Sequence, residues 1–238
     1  IVGGGSAGWM TAATLQSQLP EHQICLIESK NIATVGVGES TLGQIRSWMR
    51  LLKINDEDFI KHVDGSFKLS IKFTDFYKKG EAFHYPFGFP DVKDTHNDTN
   101  DWWFKKIFNP KTPNSDYAES IFPLQMAFVN NKKFNKNINA YAYHFDATKF
   151  GLWLKNNYCK KVKHIVEDIN SIEQDENGIK SLNNKYTADL YIDCTGFKSL
   201  LLGKTLKEPF ESYSDLLPND SAWATKIPFK NKKKELVS

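Results

Sequence analysis

The stretch Ile1-Val2-Gly3-Gly4-Gly5-Ser6-Ala7-Gly8-Trp9-Met10 constrains the fold more than any other part of the chain. Gly3, Gly5 and Gly8 fit the spacing Gly-x-Gly-x-x-Gly of a turn that carries a β-strand into a helix. In such a turn the first glycine makes the tight bend and the second lets the backbone approach a pyrophosphate. The third lets helix and strand pack closely. The helix start then offers unsatisfied N–H groups and the positive end of its dipole to phosphates. The spacing marks a dinucleotide, NAD or FAD, only when strand, helix and second strand surround it.

Those surroundings follow in order. Trp9 to Leu19 reads as a short buried helix, with Met10, Ala13 and Leu15 among small residues and Pro20 as its stop. Gln23 to Glu28 is a β-rich run ending in an acid. Glu28 lies about 20 residues past the last glycine, where a carboxylate accepts hydrogen bonds from a ribose diol. Only Ile1 and Val2 precede the glycines, whereas a strand runs to about 5 residues, so the N-terminus is expected to be clipped. A second glycine loop, Val35-Gly36-Val37-Gly38-Glu39-Ser40-Thr41, leads into an apolar helical pattern, with Ser40 or Thr41 as its expected cap. Asn55 to Asp58 opens another short helix that runs through Val63.

From Gly65 to Phe76 the period changes to two. Phe67, Leu69, Ile71 and Phe73 alternate with Lys68, Ser70, Lys72 and Thr74, as on a half-buried strand with its polar face in water. By period alone Lys68 is one more solvated lysine. Residues 80–135 read as irregular and aromatic-rich, with a polar surface loop from Asp91 to Asp101 and a helix over Ser120 to Phe134. Asp146 is the expected N-cap of a helix bearing Phe150, Leu152, Trp153 and Leu154, and His144 is expected to have a structural place beside that cap. Val162 to Glu173 reads as a strand, and Asp175 to Gly178 as a hairpin turn. Ala188 to Gly196 runs apolar into a Thr-Gly turn, as a strand returning to the nucleotide sheet.

Composition adds exclusions. Net charge is +3, with no basic face to suggest nucleic acid, and Lys230 to Lys234 reads as a solvated run near the chain end. Cys25, Cys159 and Cys194 are odd in number and far apart, which offers neither a disulfide framework nor a metal site and suits a reducing compartment, the cytoplasm. No apolar run approaches the roughly 20 residues of a membrane span.

Several segments together resemble one family. Gly3-Gly4-Gly5-Ser6-Ala7-Gly8-Trp9-Met10, the Val35–Thr41 loop and Ser66-Phe67-Lys68-Leu69-Ser70-Ile71-Lys72-Phe73 are similar to the flavin-dependent tryptophan halogenases. Phe87-Gly88, Tyr143-His144-Phe145-Asp146-Ala147, Asp193-Cys194-Thr195-Gly196-Phe197, Glu208-Pro209-Phe210 and Asn219-Asp220-Ser221-Ala222 agree in order and spacing. The resemblance covers nearly all 238 residues.

It implies an α/β, FAD-binding, Rossmann-like fold of the flavoprotein monooxygenase type. Residues 1–63 and about 146–203 would supply the FAD-binding parts, and about 64–145 an aromatic-rich insertion on the substrate side. Cofactor contacts are expected from Gly3, Gly5, Ser6, Ala7, Gly8, Glu28, Val37, Gly38, Glu39, Ser40 and Gly196. In the family a separate NAD(P)H-dependent flavin reductase delivers FADH2. Reduced flavin and O2 give a hydroperoxide, which chloride or bromide attacks to form hypohalous acid. That oxidant travels through an internal tunnel to a lysine beside the aromatic substrate. Lys68 matches that lysine, which reverses its reading as a solvated residue, and Lys72, four residues along, would add repulsion on the same face.

Phe87 matches a position that packs on the substrate ring, and Tyr85 stands where relatives often carry histidine. The expected substrate is therefore an indole or another electron-rich arene, with free tryptophan only the best-known case. The family's Trp-x-Trp-x-Ile-Pro signature, proton-accepting glutamate, halide loop and helical cap are not in these residues, so the chain resembles an N-terminal half that is inactive alone. An FAD-dependent monooxygenase of the same fold and a non-catalytic FAD-binding fragment stay open, as does the choice between monomer and homodimer.

Overall fold

The computed structural model describes residues 1–31, 38–90, 99–225, 227–228 and 236–237. In chain order the elements are α1 (Ser6–Gln18), β1 (Cys25–Glu28), β2 (Gly38–Ser40), α2 (Ile45–Leu51), α3 (Asp56–His62), β3 (Ser66–Lys68), β4 (Ser70–Thr74) and β5 (Ala82–Pro86). There follow α4 (Thr99–Phe108), α5 (Ser115–Ile121), α6 (Pro123–Asn130), β6 (Ala142–Asp146), α7 (Ala147–Tyr158), β7 (Lys163–Val166), β8 (Ile172–Asp175) and β9 (Gly178–Leu182). The chain divides into two compact units, Ile1–Gly38 with Asp146–Lys226, and Glu39–Phe145 with Ile227–Ser238. No described helix is long and apolar enough to cross a membrane.

The first unit is built on parallel pairing. β1 pairs with β7 in the register Cys25 to Lys163 through Glu28 to Val166. Val2 forms parallel bridges to Ile27 on one side and Asp193 on the other. Hydrogen bonds from Val2 N–H to the Ile192 carbonyl (2.9 Å) and from Cys194 N–H to the Val2 carbonyl (2.8 Å) close the second side. Two residues thus suffice to set the glycine turn in mid-sheet, and the segment before Gly196 does return to that sheet. It does so through one bridge rather than a continuous strand. Parallel strands need a crossover, and α1 supplies it.

Ala12 and Ala13 lie four residues after Gly8 and Trp9, so these four form the buried stripe of α1, which packs on α7. Leu19 ends the helix at φ −126° and ψ 62°, outside the α region that a following proline disfavours. Val2, Ile27, Leu182 and Leu201 form the apolar core beside the sheet. The run from Val162 to Glu173 is broken into β7 and β8. β8 turns back antiparallel on β9 through the expected hairpin, with Gly178 at φ +119°.

In the second unit a three-stranded sheet has the order β2-β6-β3, and β4 pairs with β5. The expected single strand over 65–76 is therefore two strands that change partner at Leu69. Leu69 N–H bonds the Leu236 carbonyl (2.7 Å), while its own carbonyl accepts from Phe87 N–H (2.9 Å) and Gln125 Nε2 (3.1 Å). The switch buries the polar residues that flank it. Lys68 is 2% exposed and Ser70 is fully buried, whereas Phe67, Ile71 and Phe73 keep partial exposure.

Residues 80–135, expected to be irregular apart from a helix over Ser120 to Phe134, also contain β5, α4 and α5; the expected helix is α6, confined to Pro123–Asn130 with Pro123 at its first position. The expected surface loop falls largely on 91–98, outside the described residues, and Thr99 to Asp101 are already helical. Asn55 caps α3, its Oδ1 accepting from Glu57 and Asp58 N–H. Asp146 caps α7 by accepting from Lys149 N–H at 2.9 Å.

Candidate functional site

In the first unit a cleft opens at the glycine turn, lined by Gly4, Gly5, Ser6, Trp9 and Glu28 and, from α7, by Ala147, Thr148, Gly151, Leu152 and Lys155. Gly3 sits at φ +112°, where an L side chain is strained, and a Cβ there would collide with the Cys194 carbonyl. A Cβ on Gly8 would collide with the Gly3 carbonyl. The turn is thus as tight as its glycines imply. α1 begins at Ser6 with no side-chain cap and no acid in its first turn, which leaves its positive end to an anion. Glu28 supplies a carboxylate to the same cleft and Lys155 an ammonium, 5.5 Å above the ring of Trp9. Backbone donors, a close-approach turn and an acid in one cleft fit the phosphates and ribose of a dinucleotide.

A second concavity of this unit is lined by Ala7, Asp193, Cys194, Gly196, Ser199 and Leu202. Its geometry is set by Asp193. The carboxylate accepts from Thr195 N–H (2.9 Å) and Oγ1 (2.6 Å) and from the N–H groups of Leu201 (2.7 Å) and Leu202 (3.0 Å). Burial opposes its ionisation, but these four bonds outweigh it and hold the carboxyl below the usual range. Gly196, at φ +61°, opens the 3-10 turn Gly196–Lys198.

The second unit holds Lys68. On β3 it stands opposite Ala142 of β6, with Ser66 opposite His144, so Ser66, Lys68, Ala142 and His144 share one face of the sheet. Lys68 Nζ donates to the Thr41 carbonyl at 3.1 Å and lies 5.4 Å from the centroid of the Phe87 ring. The bond reaches past the central strand, and the methyl of fully buried Ala142 leaves room for the lysine stem.

Thr41 is itself fixed to Tyr143. Its N–H and Oγ1 donate to the Tyr143 carbonyl (2.9 and 3.1 Å), and its Oγ1 also accepts from Tyr143 N–H (3.0 Å). Thr41 therefore braces the sheet rather than capping α2, whose N-cap is Gln44. Burial lowers the Lys68 pKa. Lys72, expected to repel Lys68, lies beyond the break at Leu69, opposite His84 on β5. His144 is pushed down to about 4, first by burial and then by the charge of Lys68. It is neutral at pH 7, with Nδ1 3.4 Å from Ser66 Oγ and a buried Nε2 that has no hydrogen-bond partner among the described residues.

The structure thus brings Gly5, Ser6 and Glu28 to one cleft, Ala7 and Gly196 to a second, and Lys68 and Phe87 together in the other unit. Tyr85 is 62% exposed on β5 opposite Ile71. Gly38, Glu39 and Ser40 form β2, with Glu39 half-buried and the other two exposed. Val37 lies outside the described residues. Local patterns missed the α7 residues of the first cleft, the Thr41 acceptor and the place of His144 beside Lys68. The interior glycine of α7, Gly151, whose Cβ would only touch Trp9, was the nearest available signal.

Comparison with known proteins gives a consistent result. The family profile for tryptophan halogenase matches residues 1–237. The tryptophan 6-halogenase SttH of Streptomyces toxytricini is 32% identical, the match covering 96% of this chain and 49% of that protein. Among solved structures, apo VirX1 superposes with a TM-score of 0.83 at 38% identity, covering 92% of this chain and 46% of that one. Xcc4156, a flavin-dependent halogenase from Xanthomonas campestris, superposes with a TM-score of 0.79 at 31% identity over 90% and 45%. The chain spans about half the length of the curated relatives it matches.

Proposed function

The chain belongs to the tryptophan halogenase family, and from that premise we propose that it is the FAD-binding, lysine-bearing part of a flavin-dependent halogenase acting on tryptophan or another electron-rich indole. The observation that carries this reading is Lys68. A buried ammonium without a carboxylate partner costs several kcal/mol, and among the described residues only a backbone carbonyl receives its proton. Such a charge marks a functional group more readily than a structural one.

Bound FADH2 supplies, with O2 and chloride or bromide, the hypohalous acid that the reaction consumes. A separate NAD(P)H-dependent flavin reductase provides the reduced cofactor. Gly3 makes the turn and Gly8 lets helix and strand pack, so that Gly5, Ser6 and Ala7 give the phosphates a close backbone approach, and Glu28 accepts from the ribose hydroxyls. Gly196 adds a cofactor contact from the same unit.

Lys68 acts on the oxidant. Its ammonium donates a hydrogen bond to the oxygen of hypohalous acid and makes the halogen more electrophilic. In its amine form the nitrogen takes the halogen and releases water, and the lowered pKa enlarges that fraction. Phe87 presents an apolar ring beside the ammonium for the substrate to pack on, and Tyr85 flanks it in sequence.

The test is turnover of the full-length protein with FAD, NADH, a flavin reductase, O2, halide and tryptophan or indole. The expected result is a halogenated arene that requires the reductase and the halide. A hydroxylated product formed equally well without halide would overturn the reading in favour of a monooxygenase.

A further inference from the structure

Two features around Glu28, one in the cleft and one behind it, have no part in the cofactor contacts named so far. Gly4 is not one of the three fingerprint glycines, yet it cannot be exchanged freely. A Cβ there would collide with Glu28 Oε2 and lie 2.5 Å from its carboxyl carbon and 2.7 Å from its Cβ. His164 is the second feature. Its Nε2 lies 2.6 Å from Glu28 Oε1, and both side chains are about three-quarters buried. Because an ionised carboxylate only accepts, the ring nitrogen is the donor.

The two residues are diagonal neighbours on parallel strands, His164 opposite Leu26 and Glu28 opposite Val166. The imidazole is in turn held by Trp9, 3% exposed, whose ring lies 5.2 Å away at a 60° tilt. One carboxylate oxygen is therefore occupied by a fixed donor, and the other is set against the bare Cα of the turn, at the wall of the cleft.

We propose that His164 is a positioning residue which, with Gly4, clamps the Glu28 carboxylate so that its second oxygen is presented to the adenosine ribose diol of the bound dinucleotide. This rests on the reading of the cleft as the FAD site. A glutamate side chain is otherwise free about three torsions, and a clamp removes that freedom before the ligand arrives, which is the general route by which preorganisation raises affinity. The clamp also selects. A carboxylate held in one place rewards a hydroxyl that meets it and leaves an analogue without that hydroxyl opposite an unmatched acceptor.

The experiment uses the full 238-residue chain, with FAD binding followed by flavin fluorescence and with ADP and 2′-deoxy-ADP as competitors. In the unaltered chain ADP is expected to compete about tenfold better than 2′-deoxy-ADP, as one lost charge-assisted hydrogen bond implies. His164→Ala should weaken FAD about tenfold and bring the ratio of the two competitors towards one. His164→Gln, which keeps an N–H donor, should restore most of the ratio, and Gly4→Ala should abolish it. A His164→Ala chain that binds both competitors more weakly but keeps their ratio overturns the proposal, because a merely structural residue would act that way. No ratio in the unaltered chain, or no binding of FAD or ADP at all, overturns the cofactor reading itself and the clamp with it.

Discussion

Lys68 and His144 share a face that has no room for two charges. Lys68 is nearly sealed, and burial lowers its pKa. His144, two residues along β6 from Ala142, yields further and stays neutral, pushed down to about 4 by burial and by the lysine. The sign of the consequence is fixed. Unfolded, the imidazole titrates near its ordinary 6.5, and folded near 4. Between those values the unfolded chain binds a proton that the folded chain refuses, so this contribution is complete above about 6.5 and drains as pH falls towards 4.

Urea unfolding at about pH 7.5 and about pH 5 should therefore show a larger acid loss in the native chain than in a His144→Gln variant. Equal losses in the two would contradict a neutral His144. The sequence foresaw a structural histidine beside a cap. It could not show the neighbouring lysine, because that proximity comes from strand register across 76 positions (144 against 68).

At the scale of elements, what was legible was local. Asp146 stands directly before an apolar period of helical spacing and caps α7 as expected. Removing it in Asp146→Ala leaves the first turn an unpaired N–H and should cost about 1 kcal/mol, read as a lower urea midpoint with unchanged slope. An unchanged midpoint would mean the cap adds nothing. Thr41 offered the same local signal and failed, because its hydroxyl found both backbone groups of Tyr143, 102 residues away. The alternation over 67–74 gave strand correctly and put Lys72 and Thr74 in water as found, but it also put Lys68 and Ser70 there, which are buried. A period of two defines two faces and is silent on which is covered, and the partner change at Leu69 covers the face of Lys68 and Ser70. The helices α4 and α5, which were not expected, are only 10 and 7 residues long, two to three turns in which no clear period accumulates, whereas α6 lies inside the helix expected over Ser120 to Phe134.

For the whole molecule, the glycine turn was the reliable guide. Strand, turn, helix, strand and acid all stand where the first 28 residues put them, with Val2 between Ile27 and Asp193. The individual residues of the far wall were illegible, because no spacing rule links α7 to a turn more than a hundred positions earlier; only the resemblance put the stretch from about 146 with the FAD-binding parts. Lys68 was singled out only through family resemblance, and the structure shows there an ammonium removed from water, held by a braced carbonyl beside an aromatic ring, which supports the role proposed for it.

Lys68 carries the proposed chemistry, and one measurement reaches it directly. The full-length protein and its Lys68→Ala variant are supplied with reduced FAD, O2, bromide and an indole, and free hypohalous acid and halogenated indole are quantified in the same vessel. The variant is expected to release hypohalous acid at close to the native rate of oxidant formation while its halogenated indole falls by at least about a hundredfold, as loss of a group that touches the reacting atoms implies. Halogenated indole that persists near the native level in the variant would show that Lys68 is buried for some other reason.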